Sequence, residues 1–252
     1  MSNATTPKVR RRLAPDERRE AILDAANALF MRQGYDAVTI ADVLDAAGIS
    51  KGGFYHHFTA KEDLLTGIVA RMTEQALAVA KAARDRACGD ALDRLNAFLD
   101  SSVRWKAENS AETRVVAKVM LQPGNDTLFQ RILAATAATV VPVLRDMIAD
   151  GVREGVFDVA DPQVTAEIII GLSQGRQGIL AEAIASAAAG EMDAATDRLD
   201  ARMRAEGEAC DRLLGLPPGS VRLSNRPEYR RMLAGLAAAD GATDDPAGTK
   251  ET

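Results

Sequence analysis

Cysteine, histidine, aromatic residues and long apolar runs are all scarce in this chain of 252 residues, and each scarcity removes a class of function. Cys88 and Cys210 lie far apart and form no CxxC pair, so neither a zinc site nor a disulfide framework is expected, and a reducing, cytoplasmic compartment fits. The only two histidines are the adjacent His56 and His57. Neighbouring residues on a helix point about 100° apart, and no cysteine or acidic partner stands at ligand spacing, so no metal and no cofactor are expected. With no run of about 18 apolar residues and no apolar leader behind the polar, basic N-terminus, neither membrane insertion nor secretion is expected. No phosphate loop, dinucleotide fingerprint or nucleophile motif occurs, so nothing argues for an enzyme. Aromatics make up only 4% of the chain, while alanine, leucine, arginine, glutamate and aspartate recur throughout, which favours an all-α fold.

What is present is unevenly distributed charge. The formal net charge is −5. Lys8, Arg10, Arg11, Arg12, Arg18 and Arg19 nevertheless outnumber Asp16 and Glu17 in the stretch 8–19, and residues 1–65 balance to zero. The N-terminal part is therefore fit to approach phosphate, and the remainder would be repelled by it.

Pro15, Asp16 and Glu17 suit a helical first turn, and Ile22, Ala25, Ala26, Leu29 and Phe30 recur on one face until Gly34 supplies a stop. Three cap signals follow: Thr39 with Asp42, Ser50 alone, and Thr59 with Glu62. They open a second, a third and a fourth helix. Gly48 ends the second, and Ser50 starts the third only two residues later, so two short helices cross steeply over Ile40, Val43, Ile49, Phe54 and Phe58. This is helix-turn-helix geometry. The fourth helix runs from near Ala60 to about residue 82. Longer helices are expected near 90–107, 111–121, 125–154 with a kink at Pro142, 162–189 and 192–215. Pro217-Pro218-Gly219 ends the regular region; a last helix is expected from Pro227 to Ala238, with a disordered tail from Asp240.

In the third helix, Lys51, Gly52 and Gly53 form the turn that a recognition helix pushes deepest into the major groove. Two glycines cost about 1 kcal/mol each in helix propensity relative to alanine. Either their missing side chains let the backbone approach DNA, or the helix simply starts irregularly. Phe54 and Phe58 share one face as core anchors, which leaves Tyr55, His56 and His57 to face elsewhere, suited to phosphate and base edges. For His57 a partly buried structural role stands as the alternative. Thr39 offers a hydroxyl and a helix N-terminus to a phosphate. Lys61, in the first turn of the fourth helix, opposes the helix dipole; either a nearby phosphate compensates or the side chain is simply exposed.

The strings Thr39-Ile40-Ala41, Ala47-Gly48-Ile49-Ser50-Lys51-Gly52-Gly53-Phe54-Tyr55-His56-His57-Phe58 and Lys61-Glu62-Asp63-Leu64-Leu65 resemble the TetR/AcrR family of bacterial one-component repressors. The resemblance implies a three-helix DNA-binding domain joined to a larger helical ligand-binding and dimerisation domain. It implies a homodimer on double-stranded palindromic operator DNA, with Thr39, Lys51, Gly52, Gly53, Tyr55, His56, His57 and Lys61 as contacts. Gly151-Val152-Arg153-Glu154-Gly155-Val156-Phe157 before Asp161-Pro162 looks like the family's junction ahead of its penultimate core helix. The expected organisation is a flexible basic arm 1–14, a DNA-binding domain 15–60, a ligand-binding and dimerisation domain 61–216, and a partly disordered extension 217–252.

Leu199, Met203, Cys210 and Leu213 follow the stripe of a packed helix seam, and Gly171, Gly175 and Gly178 beside Ile168 and Leu172 would let two helix backbones approach. These nine residues are the expected dimer interface; packing of the same stripes within one chain is the alternative. For Cys210 the expected role is that of a small packed residue and not a redox sensor. Trp105, Met120, Phe129, Met147, Gln174 and Gln177 are candidates for lining a small-molecule site between helices 90–180, with plain core as the competing reading. A ligand would act by shifting the fourth helix, with Gly67 as a weak point. The expected function is that of a repressor released from its operator by a small-molecule inducer. One alternative is a helical sequestering protein with a vestigial helix-turn-helix. An enzyme using His56 or His57 is disfavoured, because they lie in the least pocket-like part of the chain.

Overall fold

The computed structural model describes residues 14–122 and 124–238, apart from the side chain of Gln174. The basic residues Lys8 to Arg12 and the tail expected beyond Asp240 lie outside these residues. Eleven α-helices follow in order: α1 Pro15–Gln33, α2 Ile40–Ala47, α3 Lys51–Tyr55, α4 Lys61–Arg86, α5 Ala91–Glu108, α6 Ser110–Met120, α7 Asp126–Arg153, α8 Pro162–Gly171, α9 Gln177–Ala188, α10 Met192–Leu214 and α11 Arg226–Ala237. A 3₁₀ segment, Leu172–Arg176, separates α8 from α9, and there is no strand among the described residues. Two compact units divide between Gly67 and Ile68, inside α4 and beyond the boundary expected near residue 60.

The smaller unit is built on α1. Pro15 opens that helix, the Glu17 carboxylate accepts from the Ala14 amide at 3.0 Å, and Ile22, Leu23, Ala26, Leu29 and Phe30 form its buried face. Val38, Val43, Phe54, Phe58, Leu64 and Leu65 complete this core. Gly67, expected as a weak point, is instead a place of close approach. A Cβ there would lie 2.8 Å from Cδ2 of the fully buried Leu23.

In the larger unit, α5, α7, α8, α9 and α10 surround a core that includes Leu95, Phe98, Leu144, Ile148, Leu199, Met203 and Leu214. Within α7 an 18-residue stretch has a mean hydropathy of 1.6, so by length and composition this helix could cross a bilayer, contrary to the expectation that no such run exists. Here α7 packs against α5, α6 and α8, burying Val141, Leu144, Met147 and Ile148, and it continues as one helix through the exposed Pro142.

Two elements differ from expectation. The single helix expected over 162–189 is α8, the 3₁₀ segment and α9, because the chain tightens at Leu172–Arg176 and brings the Arg176 guanidinium to Glu206. The last helix falls where expected, as α11, but the segment leading to it is not the plain end of the regular region that Pro217-Pro218-Gly219 suggested. This strap, residues 215–225, is pinned by buried side chains: Asp211 accepts from the amides of Gly219 and Val221, both at 2.7 Å, and Asn96 donates to the Ser220 carbonyl and accepts from the Arg222 amide. Ser224 donates to Asp200, and Asn225 both caps α11 and donates to Asp100. α11 then packs on α5, α6, α9 and α10.

At Gly207 of α10 the strap passes so close that a Cβ would stand 2.8 Å from the Val221 carbonyl oxygen. Backbone cannot swing aside as a side chain does. Gly207→Ala is therefore expected to destabilise the larger unit by about 1–3 kcal/mol, read as a lower urea midpoint with an unchanged slope.

Candidate DNA interface and ligand cavity

The turn of the helix-turn-helix is set by backbone chemistry. Gly48 adopts φ +65°, where a side chain would be strained, and the Ile49 amide donates back to the Leu44 carbonyl at 3.1 Å. α2 is opened by a reciprocal cap: the Thr39 hydroxyl oxygen accepts from the Asp42 amide, and the Asp42 carboxylate accepts from the Thr39 amide at 2.8 Å and hydroxyl at 2.7 Å. Those bonds hold the Asp42 carboxyl below its usual pKa. The Ser50 hydroxyl oxygen accepts from the Gly53 amide and opens α3. At α4 the cap partner of Thr59 is Asp63, not Glu62 as expected. Its Oδ2 accepts from the Thr59 amide, the Thr59 hydroxyl and the Ala60 amide, because the helix starts at Lys61 and so places Asp63 in its third position.

Lys51, Gly52, Tyr55 and His56 lie exposed on or beside α3, with Tyr55 48% exposed, while Phe54 is fully buried beneath them. Lys51 Nζ lies 6.0 Å from the Tyr55 ring centroid, and the Tyr55 ring stands edge-on to Phe54. A cation and an aromatic hydroxyl are thus presented together on a surface that a DNA backbone can meet.

The two glycines differ. A Cβ on Gly52 would meet open space, whereas one on Gly53 would come within 3.0 Å of the Ile49 side chain and 3.6 Å of Arg18 Cδ. Gly53 is thus required by packing within the unit. His57 is half-buried, with its Nε2 enclosed and unpartnered. Burial, then His56, Arg18 and Arg19, push its pKa below the usual imidazole value.

Lys61 is a correction. Its ammonium donates to the carbonyls of Tyr35 at 2.9 Å and Val38 at 3.0 Å, and it lies 4.2 Å from the centroid of the Tyr35 ring. The charge closes the α1–α2 turn and is not held out to phosphate. The Thr39 hydroxyl proton is likewise committed to Asp42. Sequence reasoning missed Arg18 and Arg19: α1 carries them to α3, with the Arg19 guanidinium 5.7 Å from the Phe58 ring centroid. Their signal was the basic excess in residues 8–19.

The larger unit contains a partly open cavity of about 380 Å³, within the range of small-molecule sites. Its wall is contributed by α4, α5, α6, α7, α8, the 3₁₀ segment and α10, and Val221 and Leu223 of the strap line it too. Trp105 and Met120 line it as expected. Phe129 and Met147 do not: they share the α7 face that carries Leu133, Thr136, Val140 and Leu144, but lie one turn beyond its two ends and are plain core. Gln177 is not on the wall, and the Gln174 side chain lies outside the described residues. Leu199, Met203 and Cys210, expected at a dimer seam, are buried within their own chain, and the last two face the cavity. Gly175 packs against Arg202, Leu172 lines the cavity, and Leu213 is half-buried.

Polar groups on the cavity wall are mostly committed. Thr73, Ser102, Thr113 and Ser173 donate to backbone carbonyls three or four residues earlier, and Arg176 is held by Glu206. Burial pushes the Cys210 thiol up to about 11, so it is an inert thiol. Lys106 has no hydrogen-bond or ion-pair partner among the described residues. The residue is exposed, and part of it lies on the cavity wall. Desolvation, then Arg176, bring its pKa down to about 8.

A helix-turn-helix unit followed by a helical unit with a cavity is the build of a DNA-binding regulator. Comparison with known proteins agrees. Residues 22–68 match the model of bacterial regulatory proteins of the tetR family, and residues 106–177 match a tetracyclin repressor-like C-terminal domain. The HTH-type transcriptional repressor Rv1474c of Mycobacterium tuberculosis is 30% identical over 169 residues, which span 60% of this chain and 89% of that protein. The HTH-type transcriptional activator FasR of Mycolicibacterium smegmatis is 27% identical over 55% of this chain and 60% of its own. The structure of RolR in complex with resorcinol shares the fold at a TM-score of 0.56 and 18% identity, covering 87% of this chain and 94% of that one. The chain belongs to the TetR family of transcriptional regulators.

Two contrasts test these assignments. Lys61→Gln is expected to destabilise the smaller unit by about 1–3 kcal/mol, whereas Lys51→Gln should leave thermal unfolding unchanged and lower the salt slope of DNA binding by about 1. Lys106→Met is expected to raise the melting temperature at pH 7, because it removes an unpaired charge. That gain should shrink between about pH 8 and pH 10.5. Over this window the unfolded wild type binds a proton at Lys106 that the folded state has lost, so wild-type stability rises with pH. The thiol of Cys210, on the same wall, titrates above this window.

Proposed function

We propose that the protein is a ligand-responsive repressor that binds a palindromic operator as a homodimer and is released by a small-molecule inducer. The observation that carries this is the course of α4. Its first turns belong to the DNA-binding unit, and its later residues Val69, Met72, Thr73, Ala76 and Leu77 form cavity wall. A ligand that displaces this wall acts on the helix that follows the reading head. The RolR complex, a relative in fold that holds resorcinol, supports ligand response in the same architecture.

The dimer reading rests on α8 and α9. Val164 and Ile168 are 48% and 46% exposed, and Gly171 and Gly178 open onto empty space. Two recognition helices would then have to stand about 34–36 Å apart, one turn of DNA. Repression is favoured over activation because Rv1474c, which matches over most of its length, is a repressor, whereas FasR matches over less.

Operator selection with purified protein, followed by titration of the selected duplex at fixed salt, tests the reading. Tyr55→Ala should lose about 1–3 kcal/mol of operator affinity with unchanged folding, since Tyr55 lies on the surface. Full-strength binding by that variant would favour a sequestering protein with a vestigial helix-turn-helix.

A further inference from the structure

The cavity has a chemical polarity that narrows its occupant. Most of its wall is apolar, with Leu95, Leu99, Val116, Ile132 and Leu144 among the contributors. At one place the wall is cationic. Lys106 of α5 projects there without a partner among the described residues, and Arg176 lies near enough to disfavour its charge. Glu206, the partner of Arg176, is 4% exposed and already holds both Arg176 and Arg202 at 2.6–2.7 Å. Asp211, further along α10, is spent on two strap amides. Lys106 and Arg176 are the two charged residues on the wall, and of these only Arg176 has a carboxylate partner among the described residues. The hydroxyls of Thr73, Ser102, Thr113 and Ser173 have given their protons to backbone carbonyls, so they face the chamber as acceptors. The inert Cys210 thiol argues against capture of an electrophile.

We propose that this cavity binds a monoanionic amphiphile, a carboxylic acid on an apolar body, with its carboxylate paired to Lys106 and its hydrocarbon part filling the apolar remainder. The proposal rests on reading the larger unit as a sensor, and it adds the class of ligand. An anion at Lys106 supplies the missing countercharge, and each methylene placed in the chamber should tighten binding about fourfold until the space is filled. Neutral and cationic molecules of the same shape gain only the apolar part or are repelled.

The test is calorimetry on the full chain without DNA, using n-alkanoates from hexanoate to tetradecanoate, with decan-1-ol and decylammonium as matched controls. The expected result is decanoate binding at least tenfold tighter than decan-1-ol, with decylammonium weakest. Lys106→Met and Lys106→Gln should abolish the preference for decanoate while still binding decan-1-ol, which shows that the chamber is intact. Equal or tighter binding of the alcohol or the amine overturns the proposal, as does an absence of binding across the whole acid series or an undiminished acid preference in both variants. These results are independent of operator binding. A protein that binds decanoate yet holds its operator unchanged would uphold the ligand class and refute ligand release.

Discussion

Glu206 is the carboxylate on which the larger unit turns. It is almost wholly buried, and it accepts from Arg202 one turn away on α10 and from Arg176, thirty residues earlier in the chain. Removing a buried carboxylate that holds two guanidinium groups would leave both unanswered, a loss of the kind that destabilises by about 3–5 kcal/mol. The geometry around it follows from that constraint. For Arg176 to reach Glu206, the chain between α8 and α9 tightens into a 3₁₀ segment, and the tightening turns Leu172, Ser173 and Arg176 toward the cavity. With Glu206 saturated, Lys106 is left as a cation without an anion. One ion pair thereby shapes the break between two helices and sets the sign of the chamber they line.

This constraint also explains what the sequence could and could not disclose. Residues within a few positions of one another revealed themselves: Thr39 with Asp42, Ser50 with Gly53, and Gly48 at its left-handed turn are local devices written in adjacent letters. Even there a shift of one residue in the helix start moved the Thr59 partner to Asp63. Lys61 was misread because its acceptors are backbone carbonyls more than twenty residues away, which no side-chain pattern reveals. The periodicity of 162–189 is compatible with one helix, and the 3₁₀ segment that interrupts it carries the arginine that pairs with a distant glutamate. Leu199, Met203 and Cys210 form a genuine seam, but a stripe does not state whose helix faces it, and here it is the chain's own core.

The strap after Leu214 shows the same limit from the other side. Pro217-Pro218-Gly219 reads as an end of structure, since none of these residues favours a helix or strand. What orders the segment is supplied by others: Asp211, Asn96, Asp200 and Asp100, on α10 and α5, satisfy its backbone and side-chain groups one after another. Val221 and Leu223 alternate with Arg222 and Ser224, the pattern of an extended segment with one face inward, and both inward residues reach the cavity. That alternation was the available signal. The strap thus completes a chamber that α4 to α10 alone would leave open on that side.

The walls of the chamber differ in how firmly they are held. Under the proposed ligand response, the wall held least firmly is the one a ligand would displace, because packed interiors do not deform smoothly. The strap is held by six buried or half-buried polar contacts, and α10 is anchored through Glu206 and Asp211. By contrast, the α4 residues that line the chamber are Val69, Met72, Thr73, Ala76 and Leu77, and none of them makes a side-chain polar contact outside its own helix. Apolar contact alone has no preferred register and yields at lower cost than a buried hydrogen-bonded network. The polar anchoring of α10 and the strap leaves α4 as the compliant wall, and α4 is the element whose first turn, through Lys61 and Asp63, is bonded into the helix-turn-helix.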